Sequence, residues 1–218
     1  MVDGAVLVFD MDGVLVDPTE SYRETIIRTV EHFTGKRITH ALIQDYKNGG
    51  GWNNDWALSQ RICSDLGVEV SYDAVAEYFE DLFLNEGMIH RERWLPRSGL
   101  IQDLGRDCTL AIFTGRPQLH ASLTLKREGC FECFHIVTSD DVENHKPHPE
   151  GLLKIAALHP GRKLVYVGDT VDDARSARAA GVPFIGIAAA EVPNREKLIG
   201  LFEAEGAVRI LENVNEIR

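Results

Sequence analysis

The stretch Ala5-Val6-Leu7-Val8-Phe9-Asp10-Met11-Asp12-Gly13 decides how the rest of the chain is read. Residues 5–9 form an apolar run without alternation, which suits a strand covered on both faces of a parallel sheet. The run stops on two aspartates spaced two apart, with a glycine behind them. Four later runs share this character, at residues 110–113, 136–138, 164–167 and 184–187. Helical stretches separate them. Pro117 suits the first turn of one, Leu119 and Leu123 share a face of it, and Gly129 can end it. Another covers 171–180, with Ala174, Ala177 and Ala180 as a small-residue ridge and Gly181 as its stop. Strand and helix alternating in this way predict an α/β fold, a doubly wound parallel-sheet (Rossmann-like) core.

The interval between the first two runs breaks the pattern. Roughly 100 residues separate Phe9 from Leu110, too many for one crossover helix. Inside it the period is helical: Tyr22, Ile26, Val30 and Phe33 share one face, and Val75, Phe79 and Leu82 another. Strand signals are scarce there. We therefore expect an inserted α-helical cap at residues 18–95, flanked by Pro18 and Pro96, on a core built from residues 1–17 and 96–218.

Ligands of open α/β sheets bind beyond the carboxyl ends of the strands. The first run leads into Asp10 and Asp12, the second into Thr114-Gly115-Arg116, and the fourth into Gly168-Asp169, with Asp173 just beyond. Lys146 follows the third after a loop. Any one of these aspartates could simply cap a helix. Four strand ends carrying such residues together point to a site. Carboxylates gathered within a few ångströms repel, or force a proton onto one of them. A hard divalent cation relieves this, and Mg2+ takes one or two carboxylates plus waters and phosphate oxygens.

These segments resemble the four motifs of the haloacid dehalogenase superfamily, in its phosphatase branch with a small α-helical cap. The first motif is matched by Asp10-Met11-Asp12-Gly13-Val14-Leu15-Val16, the second by Thr114, the third by Lys146, and the fourth by Gly168-Asp169 with Asp173. The resemblance implies that Asp10 attacks phosphorus to give an aspartyl-phosphate, and that Asp12 protonates the leaving oxygen and then activates water. It further implies that Thr114, Gly115 and Lys146 bind the phosphoryl oxygens. Asp10, the Asp12 carbonyl and Asp169 would hold Mg2+, with Asp173 as a ligand or just behind it. Dehalogenases of the superfamily lack an acid at the position of Asp12 and its ion-pumping ATPases have Thr there, so Asp12 points to phosphatase or phosphomutase.

The expected activity is a Mg2+-dependent phosphomonoesterase, phosphoglycolate-phosphatase-like, acting on a small phosphorylated metabolite. The alternatives are a phosphosugar mutase of the β-phosphoglucomutase type and a histidinol-phosphate phosphatase. The second rests on the Thr114-Gly115-Arg116-Pro117 variant, which looks like a branch with relatives associated with histidine biosynthesis. Arg116 reads either as a surface residue at a helix start or as an additional phosphate contact. In the cap, the glycine turn at 49–51 and the segment from Asn48 to Trp52 are candidates for meeting the substrate. A catalytically silent regulatory domain would have no need of Asp10, Asp12, Lys146 and Asp169 together.

Composition narrows the partners. A net charge of −11 disfavours nucleic acid and anionic membrane surfaces. The start carries no basic region before its first apolar run, and no run reaches the roughly 18 apolar residues of a membrane helix, so a cytoplasmic monomer or homodimer is expected. Cys130 and Cys133 form a Cys-x-x-Cys without a second ligand pair, and we expect reduced, structural thiols.

Overall fold

The computed structural model describes residues 4–217, so the expected core ends at 1–3 and 218 lie outside the described residues. Its strands are β1 (Val6–Phe9), β2 (Val16–Asp17), β3 (Arg93–Trp94), β4 (Thr109–Phe113), β5 (His135–Val137), β6 (Leu164–Gly168), β7 (Phe184–Ile187) and β8 (Arg209–Leu211). Helices α1 (Glu24–Thr34), α2 (His40–Gly49), α3 (Asp55–Asp65) and α4 (Tyr72–Glu80) lie between β2 and β3. After β3 come α5 (Leu100–Asp107), α6 (Gln118–Arg127), α7 (Glu150–Leu158), α8 (Val171–Ala180) and α9 (Arg195–Ala204).

Six strands form one parallel sheet in the order β5-β4-β1-β6-β7-β8. The chain fills one side of β1 first and the other side afterwards, which places the switch point at β1 and its neighbour β6. Open α/β sheets bind ligands at such a point. Register sharpens the placement. Phe9 stands opposite both Ile112 and Val167, so Asp10 emerges level with the ends of β4 and β6.

The unalternating strand runs are explained by two apolar layers. Leu7, Phe9, Leu110 and Ile112 face one cluster, while Val6, Val8, Ala111 and Phe113 face the other. Each large apolar side chain buried this way contributes about 1.5–3 kcal/mol. Two expectations need adjustment. A sixth strand, β8, is present at the sheet edge. Its Arg209 is exposed and its Ile210 only half-buried, so no apolar run marks it. Leu119 and Leu123 are exposed on α6, which instead buries His120, Ala121, Thr124 and Leu125.

A third apolar cluster is drawn wholly from residues between Tyr22 and Ile89. Thr39, Asn54 and Ser71 cap α2, α3 and α4, each accepting a hydrogen bond from the backbone N–H three residues on. The antiparallel pair β2–β3 ties the outgoing and returning chain, Val16 opposite Trp94 and Asp17 opposite Arg93. Arg93 Nη2 also donates to Asp17 Oδ2 at 2.8 Å. Among the described residues, no helix is long and apolar enough to cross a membrane.

Candidate active site

Asp10 follows β1, and Asp169 follows β6 beside it. Each Asp is pulled into place by its neighbours. The Met11 N–H donates to Asp10 Oδ1 at 2.7 Å. Gly13 has φ +70°, and a Cβ there would lie 2.0 Å from Asp169 Oδ2, so only glycine lets the loop after β1 close over Asp169. Gly168 plays the same part for Asp173, whose Cβ would be 2.4 Å from an added one.

Lys146 reaches this edge from the loop after β5. Its ammonium is buried and pairs with Asp10 Oδ1 at 3.1 Å and Asp173 Oδ1 at 2.8 Å. Asp173 is also held by its helix. Thr170 donates to its Oδ2 through both N–H (3.0 Å) and hydroxyl (2.6 Å), closing a capping box at the start of α8. The Tyr166 hydroxyl donates to Asp173 Oδ1 at 2.6 Å. Both Asp173 oxygens are thus occupied by protein. Asp169 is the opposite case: its Oδ1 is buried without a hydrogen-bond partner.

Oxygen atoms of Asp10, Asp169 and Asp173 lie within 4.8 Å of one another. The charge balance follows from that. Burial, opposed by Lys146 and reinforced by Asp173 and Asp12, raises Asp10 to about 7. Burial, with Asp10 and Asp173 beside it, holds Asp169 well above its ordinary value. Asp173 goes the other way: burial is outweighed by Lys146, Thr170 and Tyr166, which lower it. Lys146 is disfavoured by burial yet raised on balance by Asp10 and Asp173. One ammonium is insufficient for three carboxylates. An unpartnered oxygen on Asp169 and this excess of negative charge fit a hard divalent cation with oxygen ligands.

Asp12 is turned away from that trio. Its two oxygens accept Arg116 Nε at 2.8 Å and Nη2 at 2.7 Å. Arg116 is 2% exposed, so the surface alternative does not hold. Thr114 is buried at the end of β4, where its hydroxyl accepts the Arg116 N–H at 3.2 Å. Gly115 lines the cavity above Asp10, and a Cβ there would meet the Asn53 amide at 2.5 Å.

The cap closes the other side of the cavity with Tyr22, Arg23, Lys47, Asn53 and Trp56. Lys47 is paired with Asp55 at 2.7 Å, and Arg23 donates to Gln44 at 2.9 Å. Gly51 lies in the glycine turn, but its N–H is spent on the core, donating to the Asp172 carboxylate at 2.8 and 3.0 Å. Trp52 is half-buried, packing edge-on against Tyr46 beside the cap cluster, and it is Trp56 that reaches the cavity wall. Asn48 is buried and accepts from Gln44. Sequence reasoning missed Asp172, Arg23, Trp56 and Glu92, the last of which pairs with Arg116 Nη1 at 2.7 Å. A helical period could have placed Trp56 on the cap, but nothing local reveals that the turn before α1 and the start of α3 border the cavity at Asp10.

An open parallel sheet with a buried carboxylate–lysine centre at its switch point defines the class of protein. The model of the haloacid dehalogenase-like hydrolases matches residues 5–181, and the chain belongs to that family. That family is one of hydrolases, and curated relatives at 26–28% identity carry phosphatase names. The chain is 33% identical over 197 residues to an imidazoleglycerol-phosphate dehydratase of Phytophthora nicotianae, covering 83% of this chain but only 42% of that protein. The chain therefore spans less than half the length of that relative. A phosphoglycolate phosphatase of Yersinia pseudotuberculosis is 26% identical over 189 residues, covering 83% of this chain and 79% of that one. In fold it is similar to a putative haloacid dehalogenase-like hydrolase of Bacteroides fragilis, with a TM-score of 0.77, 23% identity, and coverage of 98% and 99%.

Proposed function

We propose that the chain is a Mg2+-dependent phosphomonoesterase working through an aspartyl-phosphate on Asp10, with a small phosphorylated metabolite as substrate. The observation that carries this reading is the buried set of Asp10, Asp169 and Asp173, two of them paired with Lys146, with Asp169 Oδ1 unpartnered. The phosphoglycolate phosphatase likeness supports a compact substrate of that kind. A core at residues 1–17 and 96–218 carries the chemistry, and the helices of residues 18–95 cover it. A cytoplasmic location fits this reading, as does the exclusion of nucleic acid.

Asp10 and Asp169 would hold the Mg2+. Asp173 stands behind them, since its oxygens already accept from Thr170, Tyr166 and Lys146. When bound, the cation neutralises the excess carboxylate charge and the charge on the phosphoryl oxygens. Met11 and Lys146 engage Asp10 Oδ1, which leaves Oδ2 as the attacking oxygen. As the Asp10–phosphorus bond forms, the bond from phosphorus to the ester oxygen breaks, and that oxygen takes a proton from Asp12. A water then attacks phosphorus, returning its proton to Asp12, and the Asp10–phosphorus bond breaks to release inorganic phosphate. Thr114, the Gly115 N–H and Lys146 hold the phosphoryl oxygens in both steps.

The test is a phosphate-release assay over a panel of phosphorylated metabolites, with and without Mg2+ and with no sugar bisphosphate present. Release that requires Mg2+ is expected. Interconversion of sugar phosphates without net release would overturn the phosphatase reading in favour of a mutase.

A further inference from the structure

Arg116 is the least expected feature of the site, because a buried guanidinium is costly unless its donors are all used. Here three of the five N–H groups donate to protein oxygens, and a second carboxylate adds an ion pair. Nε and Nη2 go to the two Asp12 oxygens at 2.8 and 2.7 Å. Nη1 donates to Thr124 Oγ1 at 2.9 Å and pairs with Glu92 Oε1 at 2.7 Å. The Tyr22 ring lies 4.7 Å below the guanidinium carbon. Burial works against the charge of Arg116, and Asp12 and Glu92 outweigh it, keeping it well above its ordinary value.

The anchor is itself anchored. The Glu92 side chain is fully buried, pairs with Arg127 at 2.8 Å and accepts from Thr124 at 2.7 Å. Tyr22 is fixed by His120, whose Nδ1 is 2.6 Å from its hydroxyl, and His120 Nε2 is 2.9 Å from Glu80 Oε2. Against this rigid background one end of the network remains accessible. The Asp12 side chain is 29% exposed where its partner is 1%, and Asp12 lines the cavity beside Asp10.

Resting on the phosphatase reading above, we propose that Arg116 is the positioning residue of Asp12, holding its carboxylate against the cavity wall beside the Asp10 nucleophile. A carboxylate on a free side chain samples several staggered wells, and a two-pronged contact selects one. When one prong yields on substrate binding, the Asp12 oxygen it frees takes up from solvent the proton that the ester oxygen will receive, and the other prong keeps the side chain in place. The donor count also leaves Arg116 less to offer a phosphate, since three of its five N–H groups donate to protein oxygens and Glu92 Oε1 sits 2.7 Å from Nη1 as an ion pair.

Leaving-group dependence tests this, because an acid that protonates the ester oxygen matters most when that oxygen leaves poorly. The measured quantity is kcat/KM, which reports only the steps through departure of the alcohol. Arg116→Lys keeps the charge and removes the fork. It should lower kcat/KM for an alkyl phosphate about ten- to hundredfold, and that for p-nitrophenyl phosphate about threefold or less. Inhibition by inorganic phosphate should stay at its wild-type strength. Equal losses on both esters would overturn the proposal. So would weakened phosphate inhibition, which would make Arg116 a phosphate ligand. Where Arg116→Lys does not fold, Thr124→Val loosens the guanidinium without stranding a charge, and should give the same asymmetry at smaller size; a symmetric loss there also overturns it. Asp12→Asn is the control for the underlying reading. If it keeps full activity on the alkyl ester, the acid role of Asp12 fails, whereas a large loss there with a symmetric Arg116→Lys loss sinks only the positioning role.

Discussion

The strand ends of the core and the inner face of the cap meet at one cavity, yet they hold their polar groups in different ways. At the core edge, Asp10, Asp169 and Asp173 are buried, set by strand register and by glycines that admit no side chain. Their charges oppose one another, and a single lysine pairs with Asp10 and Asp173 alone. On the cap side, Arg23 and Lys47 are each satisfied by cap residues, and the glycine turn is fastened to the core by one N–H. On the proposed function, this difference would put the chemistry at the core edge and leave discrimination to the cap face.

The largest effect is expected from Asp10→Asn. It removes the nucleophile and should lower turnover about a thousandfold or more, on every ester alike. Circular dichroism and thermal melting should show a folded protein, because the substitution removes one of the mutually repelling charges. Turnover near wild type would break the assignment of chemistry to β1. Metal removal comes next. EDTA-treated enzyme should lose nearly all phosphate release and regain it on titration with Mg2+, while full activity without metal would contradict the reading of the Asp10–Asp169 pair.

A third measurement isolates the charge conflict. Asp10 is raised from an ordinary 3.8 to about 7, chiefly by burial. Between those values the native state holds a proton that the unfolded state has lost. The contribution of Asp10 to stability is therefore present below about 4 and is lost as pH rises toward 7. In metal-free protein, Asp10→Asn should become progressively more stable than wild type over that window, by about 1.4 kcal/mol per pH unit for one proton, and level off above it. Saturating Mg2+ should remove the trend. A pH-independent difference between the two proteins would mean that Asp10 is not in conflict with its neighbours.

This contrast also explains what could be read from the sequence. The apolar runs and the residues at their ends are local signals, and the strand ends they marked bring Asp10, Lys146, Asp169 and Asp173 together. The buried partner of Arg116 was hidden because Glu92 lies 24 positions away, in an exposed-looking stretch beside β3. Asp172 was hidden for a similar reason. Nothing next to it announces that a glycine 121 positions earlier will donate to it. The cap face failed more instructively. Glycine and tryptophan at 49–52 suggest a binding loop, but a glycine with φ +81° at Gly50 packed against Arg175 and Asp172 serves a tight seam between cap and core.

The smallest effect separates the two cap tryptophans. Trp52 is half-buried against Tyr46 and the cap cluster, away from the cavity lining, so Trp52→Ala should lower stability by about 2 kcal/mol and reduce activity on all esters alike. Trp56 packs edge-on against Phe79 on one side and lines the cavity on the other, and its indole N–H is buried without a partner. Trp56→Ala changes the wall that a substrate's non-phosphate end would touch. A pocket contact of that size is worth only a modest ratio, so kcat/KM should shift about three- to tenfold between a bulky and a minimal phosphate ester. Hydrolysis of the minimal ester should change least, since it depends on the core edge alone. A substrate-dependent shift from Trp52→Ala together with none from Trp56→Ala would reverse the placement of the specificity face and return it to the glycine turn.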